Sequence, residues 1–137
     1  MITENERIVA EDLKMLLQTF GHKVIAITAS GEDAIDIAKQ KKPDLIFMDI
    51  DLKGDLDGID TAKMIIEKHN IRIIFCSAFN DDHTLLRASV VNPAGYITKP
   101  FELEDIEELM NLHARSCKNE FSEEAEIEKD IYKKKIC

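Results

Sequence analysis

The chain has 137 residues, enough for one domain, and its 18 Lys and Arg stand against 27 Asp and Glu for a formal net charge of −9. Such a surface repels the phosphates of nucleic acids and anionic lipids, so we expect neither direct nucleic-acid binding nor membrane binding. Its three cysteines, Cys76, Cys117 and Cys137, are too widely spaced for a disulfide framework or a zinc site, which predicts a cytoplasmic protein.

The first part of the chain predicts two strands and two helices. A first strand has only three residues available before Glu4, fewer than the usual five or so. Apolar residues then recur with helical spacing up to Phe20, and residues 24–29 predict a second strand. Ser30 with Asp33 indicates a capped helix, which Pro43 ends.

The second part continues the same alternation. The apolar run 45–48 ends at Asp49 and predicts a strand covered on both faces, and Gly58 opens the next helix. Residues 71–76 and 94–98 predict two further strands, separated by a helix that starts near Asn80, and a last helix begins near Glu102. Strands separated by single helices indicate right-handed βαβ units, and five of them predict a doubly wound α/β domain.

The composition changes near residue 116. An acidic block, residues 120–130, is followed by Lys133, Lys134 and Lys135, with only a ragged apolar stripe between them. We therefore assign residues 1–115 to the domain and residues 116–137 to a charged extension or linker helix.

Polar side chains end four of the predicted strands. They are Glu4 and Asn5, Asp49, Ser77 and Lys99. The carboxyl ends of parallel strands share one edge of the sheet, so these residues become neighbours. Carboxylates hold a hard cation such as Mg²⁺, a hydroxyl and an ammonium hold phosphate oxygens, and a strand-end Asp can act as a nucleophile. The pattern therefore indicates a phosphoryl site.

At this point the sequence resembles a response regulator receiver domain of two-component signal transduction. The matching stretches, in order and spacing, are Glu4-Asn5-Glu6, Leu45-Ile46-Phe47-Met48-Asp49, Asp57-Gly58, Ser77-Ala78 and Tyr96-Ile97-Thr98-Lys99-Pro100-Phe101. The resemblance covers residues 2 to about 114 and implies a flavodoxin-like sheet of five parallel strands, in the order 2-1-3-4-5, with helices on both faces.

The resemblance also implies a role for each site residue. Asp49 would accept a phosphoryl group from a phosphohistidine of a histidine kinase or phosphotransfer protein, and Lys99 would pair with the phosphate. Ser77 would bond a phosphoryl oxygen, and Ser77 and Tyr96 would act as the switch, with Tyr96 turning inward. Mg²⁺ would be held by Glu4, Asn5, Asp49 and the backbone carbonyl of Asp51, and the Lys99–Pro100 peptide would be cis.

The implied output is a changed surface on the fourth helix, fifth strand and fifth helix, which would bind a downstream protein or a covalently attached output domain, or form a homodimer. Such a domain would not be an enzyme beyond its own phosphotransfer and dephosphorylation. Asn5 departs from the family, which usually has Asp there, so we expect weak Mg²⁺ binding.

Two other functions stay open from the sequence. Asn5 and the short first strand are compatible with a pseudo-receiver, a binding module that signals without phosphorylation. Asp49 and Asp51 also form an Asp-x-Asp pair like that of haloacid dehalogenase-like phosphatases, although that motif normally ends the first strand rather than the third. The acidic residues Asp51, Asp55 and Asp57 do not complete an EF-hand, because position twelve from Asp49 is Asp60 instead of Glu.

Overall fold

The computed structural model describes residues 1–78 and 81–118, with five parallel strands in the order β2-β1-β3-β4-β5. This confirms the predicted fold class and strand order. Residues 79–80 and 119–137 lie outside the described part, so the expected helix start at Asn80 and most of the charged extension lie outside it too. The elements in chain order are β1 (Ile2–Thr3), α1 (Arg7–Thr19), β2 (Ile27–Thr28), α2 (Gly31–Lys41), β3 (Leu45–Asp49), α3 (Gly58–Lys68), β4 (Arg72–Ser77), α4 (Asp82–Val90), β5 (Gly95–Thr98) and α5 (Leu103–Lys118).

The first strand is as short as the sequence predicts, and it limits its neighbour. The predicted second strand, residues 24–29, is reduced to Ile27–Thr28. Ile2 pairs with Ile27, so Ala26 lies opposite Met1, and residues 24–25 have no partner in β1. Two flanking backbone bonds complete the pairing: the Ile2 amide donates to Ala26, and the Glu4 amide donates to Thr28.

The apolar residues of the sheet separate into two cores, one on each face. On one face Ile46, Met48 and Phe75 pack under α2 and α3, and on the other Phe47 and Ile74 pack under α1 and α5. Because successive strand residues point to opposite faces, a strand covered on both sides is apolar throughout. This accounts for the uninterrupted run that precedes Asp49.

Three helices that follow strands begin with a capping side chain. The caps are Ser30, Asp57 and Asp81, whose side-chain oxygens accept hydrogen bonds from the backbone amides of Asp33 (3.2 Å), Asp60 (2.8 Å) and Thr84 (3.0 Å). Each cap satisfies an amide that has no partner inside its helix. The predicted pair Ser30 and Asp33 is confirmed. In residues 1–78 and 81–118 no helix is long and apolar enough to cross a membrane.

Candidate functional site

The carboxyl edge of the sheet gathers three charged side chains from three different strands. The ammonium of Lys99, just after β5, lies 2.5 Å from Glu4 Oε2 and 3.2 Å from Asp49 Oδ1. Glu4 follows β1 and Asp49 ends β3, and β1 and β3 are adjacent in the sheet. Asp49 is 45 positions after Glu4 and 50 positions before Lys99 in the chain. The parallel topology nevertheless brings both carboxylates into contact with the Lys99 ammonium, as the sequence predicts.

Both carboxylates are deeply buried, since the side chain of Glu4 is 4% exposed and that of Asp49 is 3% exposed. Burial raises the pKa of Asp49, and the neighbouring charge of Glu4 raises it further, while Lys99 opposes both. Burial alone would lower the pKa of Lys99. The hydrogen bond to Glu4 and the attraction of both carboxylates outweigh burial, so the pKa of Lys99 is raised. The site therefore holds Lys99 firmly in its charged form.

Asn5 lies beside the same two carboxylates. With its amide oriented to satisfy the surrounding acceptors, Asn5 Nδ2 donates to Glu4 Oε1 (3.2 Å) and to Asp49 Oδ2 (3.0 Å). Glu4 Oε1 also accepts the backbone amide of Glu6 at 3.1 Å. In this orientation each carboxylate contacts Lys99 through one oxygen and accepts a hydrogen bond from Asn5 through the other.

The backbone around Asp49 is held from both sides. The Asp51 amide donates to Asp49 Oδ1 at 3.2 Å, and the amide of Ile50 donates to the carbonyl of Cys76 in β4. Gly58, the first residue of α3, donates its amide to the Ile50 carbonyl, and a methyl group at Gly58 would overlap the Asp49 carbonyl oxygen. The sequence placed Gly58 at a helix start but contained no sign of this close approach.

Asp51 lies two residues after Asp49, just beyond β3, and its side chain is exposed. Partial burial raises the pKa of its carboxyl, and the negative charge of Asp49 raises it further. Asp51 thus adds a third carboxylate near the mouth of the site, while its backbone carbonyl stays a predicted cation ligand.

Ser77 ends β4, and Tyr96 lies within the neighbouring strand β5, opposite Phe75. Ser77 is fully buried, and Tyr96 is half-buried with its side chain hydrogen-bonded to that of Ser77. Burial raises the pKa of Tyr96, although the bond to Ser77 opposes that shift. The Lys99 amide donates to the Ser77 carbonyl at 2.8 Å, and the Lys99–Pro100 peptide is cis as expected. The predicted switch residue Ser77 is therefore joined through the backbone to Lys99, whose ammonium lies in the site.

A second ionic cluster was not predicted from the sequence. The guanidinium of Arg87 on α4 donates to Asp57 Oδ2 at 2.8 Å and lies 3.6 Å from Asp60 Oδ1. The hydrogen bond with Asp57 raises the pKa of Arg87, although partial burial opposes it. Asp57 is thus both the cap of α3 and an anchor for α4. The sequence showed an acidic loop here, but the cation comes from a helix 30 residues away.

The oxygen atoms of the carboxyl edge suit a hard divalent cation. Two carboxylates and an amide oxygen are the ligand types that Mg²⁺ takes in proteins. Within the part of the chain that the structure describes, no three His, Cys, Asp or Glu residues come together as a metal cluster. Glu4, Asp49 and Asn5 therefore fit a cation that completes its shell with backbone, water or substrate oxygens.

This chain is similar in sequence to known response regulators. The model of the response regulator receiver domain family matches residues 1–111. The transcriptional regulatory protein PdtaR of Mycobacterium tuberculosis is 31% identical over 106 residues, which are 77% of this chain and 51% of PdtaR. The chemotaxis protein CheY of Thermotoga maritima is 31% identical over 100 residues, 72% of this chain and 82% of that protein.

A solved structure agrees with both the fold and the sequence match. The signal receiver domain of a modulated diguanylate cyclase from Desulfovibrio desulfuricans G20 superimposes with a TM-score of 0.76 at 34% identity, covering 81% of this chain and 88% of that one. The chain spans about half the length of curated relatives that it matches, such as PdtaR (51%) and YdfI of Bacillus subtilis (54%).

Proposed function

The chain belongs to the response regulator receiver domain family, and from that premise we propose that Asp49 accepts a phosphoryl group from the phosphohistidine of a histidine kinase or a phosphotransfer protein. In this step an Asp49 carboxylate oxygen forms a bond to phosphorus. The bond between phosphorus and the histidine nitrogen breaks, and the imidazole leaves with its electron pair and takes up a proton. Receiver domains are generally signalling domains rather than classical enzymes, and they interact with histidine kinases and output domains.

The observation that carries this proposal is the position of Lys99 between Glu4 and Asp49 at the carboxyl edge. An ammonium within 3.2 Å of the attacking carboxylate is placed to meet the negative charge of an arriving phosphoryl group. Lys99 already has a second carboxylate partner in Glu4, so it stays in the site when Asp49 becomes an acyl phosphate. We propose Lys99 as the phosphate-pairing residue.

Receiver domains generally use Mg²⁺ for phosphorylation, and we propose that Glu4, Asn5, Asp49 and the Asp51 carbonyl hold it here. When bound, the cation supplies charge for the oxygens of the transferring phosphoryl group. Asn5 contributes an amide oxygen where a carboxylate would add a negative charge, so Mg²⁺ should bind weakly. A Mg²⁺ titration of the wild type and Asn5→Asp tests this point, and equal affinities would refute it.

We propose that Ser77 and Tyr96 transmit the change to a binding surface formed by α4, β5 and α5. Ser77 is buried next to the site, and its side-chain bond to Tyr96 links it to β5. Leu86 and Val90 on α4 are 69% and 77% exposed, which gives this surface apolar contacts for a partner. The partner would be a downstream protein, a covalently attached output domain or a second copy of the chain.

The first experiment is intact mass spectrometry after incubation with acetyl phosphate and Mg²⁺. Wild type should gain one phosphoryl group, and Asp49→Asn should gain none because it lacks the nucleophilic oxygen. Lys99→Met should fold but gain the group far more slowly. A wild type that is never modified would favour the pseudo-receiver, whose partners would bind regardless of phosphorylation.

The phosphatase alternative is tested by a separate assay of aryl phosphate hydrolysis. A haloacid dehalogenase-like enzyme would turn over an aryl phosphate and would lose that activity in Asp51→Asn. The Asp51 carboxylate is exposed, and its pKa is raised by partial burial and by neighbouring carboxylates. We favour phosphoacceptor chemistry, in a cytoplasmic domain of residues 1–115 with residues 116–137 as its extension or linker.

A further inference from the structure

We propose that the Asn5 carboxamide takes the place of a cation in the metal-free site, because its Nδ2 donates to both buried carboxylates and assembles the site without metal. This inference rests on the proposed function only for the metal-bound state. The metal-free half of the proposal concerns the folded chain alone and is tested without phosphorylation.

Asn5 can donate hydrogen bonds to the carboxylate oxygens that Lys99 does not contact. Lys99 Nζ contacts one oxygen of each carboxylate, Glu4 Oε2 and Asp49 Oδ1. The remaining oxygens, Glu4 Oε1 and Asp49 Oδ2, both lie within hydrogen-bond distance of one end of the Asn5 amide, and with Nδ2 assigned to that end it donates to them at 3.2 and 3.0 Å. A primary amide carries two N–H donors on one nitrogen, so it can serve both acceptors at once.

Burial makes this pairing important. The carboxylates are 4% and 3% exposed, so water cannot replace the donors that they lose. With one ammonium for two carboxylates the site retains a negative charge, and hydrogen-bond donors are what remain to stabilise it. Asp at this position would add a third carboxylate and no hydrogen-bond donor. A bound cation would then be needed to stabilise the negative charge of the site.

The same amide cannot perform both tasks at once. Its nitrogen and oxygen share one planar carbon, so Asn5 presents either its N–H groups or its oxygen to Glu4 and Asp49. With the oxygen turned inward, three acceptors face one another unless a cation lies among them. Cation binding must therefore break two hydrogen bonds and turn the amide, which makes Asn5 a positioning residue that competes with the metal.

The first test observes the amide of the wild-type protein directly. The side-chain ¹H–¹⁵N signals of Asn5, identified by their loss in Asn5→Asp, are recorded in EDTA and during a Mg²⁺ titration. We expect slow proton exchange in EDTA compared with Asn111, an exposed residue of α5 that serves as the matched reference. Saturating Mg²⁺ should shift the Asn5 signals and speed their exchange. An Asn5 amide that exchanges like Asn111, or that ignores Mg²⁺, would overturn the proposal.

The second test measures unfolding by urea in EDTA and in Mg²⁺. Asn5→Asp should unfold at lower urea than the wild type in EDTA and recover in Mg²⁺, with an apparent Mg²⁺ affinity about tenfold higher, or about 1.4 kcal/mol. Asn5→Ala lacks the donors and adds no charge, so it should lose stability in EDTA and gain little from Mg²⁺. Asn111→Asp makes the same chemical change on α5 and should behave like the wild type.

These tests separate the two proposals. If Asn5→Asp matches Asn111→Asp in EDTA, the amide does not assemble the site, whatever acetyl phosphate does to Asp49. If the stability and amide results hold while the wild type never gains a phosphoryl group, the phosphoacceptor function fails and the cation-like role of Asn5 stands. The NMR measurement is made on the wild type, and a spectrum of Asn5→Ala identifies the Asn5 signals if Asn5→Asp does not fold in EDTA.

Discussion

The protein contains two ionic clusters with the same charges and opposite surroundings. In the edge cluster Lys99 contacts Glu4 and Asp49, and these three side chains are 16%, 4% and 3% exposed. In the helix cluster Arg87 contacts Asp57 and Asp60, and these are 39%, 30% and 53% exposed. Each cluster has one cation and two carboxylates, so burial is the main difference between them.

Burial changes what the same charges can do. Exposed ion pairs contribute little, because water and salt screen them and their side chains lose entropy. Buried charges lose their hydration, so each depends strongly on its partners. Removing one partner therefore strongly destabilises the fold. Burying the charges of the edge cluster therefore costs folding free energy, but it makes them suited to phosphoryl chemistry. The helix cluster only adjusts how α4 lies beside α3.

The largest expected effect comes from removing the buried cation. Lys99→Met leaves Glu4 and Asp49 together without a counter-charge and should lower the free energy of unfolding by about 3 kcal/mol in EDTA. Urea unfolding measures the loss, and Mg²⁺ should restore part of it by supplying another cation. Lys63→Met on the exposed face of α3 is the control and should change stability by less than about 0.5 kcal/mol. Equal effects of the two variants would show that burial does not separate the clusters.

Gly58 connects the two clusters, because it follows Asp57 in the chain and packs against the Asp49 carbonyl. Gly58→Ala should lower the free energy of unfolding by about 2–3 kcal/mol, since the added methyl group meets backbone that cannot move aside cheaply. It should also shift the NMR signals of both Lys99 and Arg87.

The matched control for Gly58→Ala is Asp82→Ala, at the first position of α4, where the side chain is exposed. That variant should cost well under about 1 kcal/mol and leave the Lys99 signals in place. If Gly58→Ala proves as mild as the control, the link between α3 and Asp49 is loose, and the two clusters are independent.

A smaller effect, of opposite sign, is expected from Asp49→Asn. The pKa of Asp49 is raised in the fold by burial and by Glu4. Well below the ordinary Asp pKa of about 3.9, folded and unfolded chains both hold this proton and Asp49 has no linked cost. As the pH rises through the folded pKa, the native state gives up a proton that it binds more tightly than the unfolded chain, so stability falls. Asp49→Asn should therefore stabilise the protein at about pH 8 by about 1 kcal/mol, or roughly 3–5 °C in Tm, and not at about pH 3.5.

The pH profile of Tm checks this sign. Asp12→Asn on the exposed side of α1 is the control and should show no gain that grows with pH. A loss of stability in Asp49→Asn at high pH would mean that its attraction to Lys99 outweighs its burial. The edge cluster would then stabilise the fold, and the contrast with the helix cluster would need a different cause.

The sequence predicts the fold and the membership of the edge cluster for a physical reason. Parallel topology brings strand ends to one edge, so a residue such as Asp49 is located once its strand is recognised. The short β1 was also predictable, because only three residues precede Glu4. These features depend on local pattern and topology, which a sequence displays directly.

Other features depend on three-dimensional detail that no local pattern records. The contact of Arg87 with Asp57 needs α4 to lie beside the first residues of α3, and the contraction of β2 to Ile27–Thr28 follows from its register with β1. From the sequence alone, Asn5 predicts only weaker metal binding. The proposed donor role depends on where the second oxygens of Glu4 and Asp49 lie, which no local pattern records.

The smallest expected effect lies in the helix cluster. A double-mutant cycle of Arg87→Met with Asp57→Asn should give a coupling of about 0.5 kcal/mol. Asn replaces Asp57 without loss of the α3 cap, because the two residues cap helices equally well, so the cycle isolates the charge. In about 1 M salt, where the Debye length is about 3 Å, the coupling should nearly vanish. The corresponding cycle of Lys99→Met with Glu4→Gln should keep most of its larger coupling in the same salt. A helix-cluster coupling above about 2 kcal/mol that salt does not reduce would show that Arg87 holds α4 as firmly as Lys99 holds the carboxyl edge.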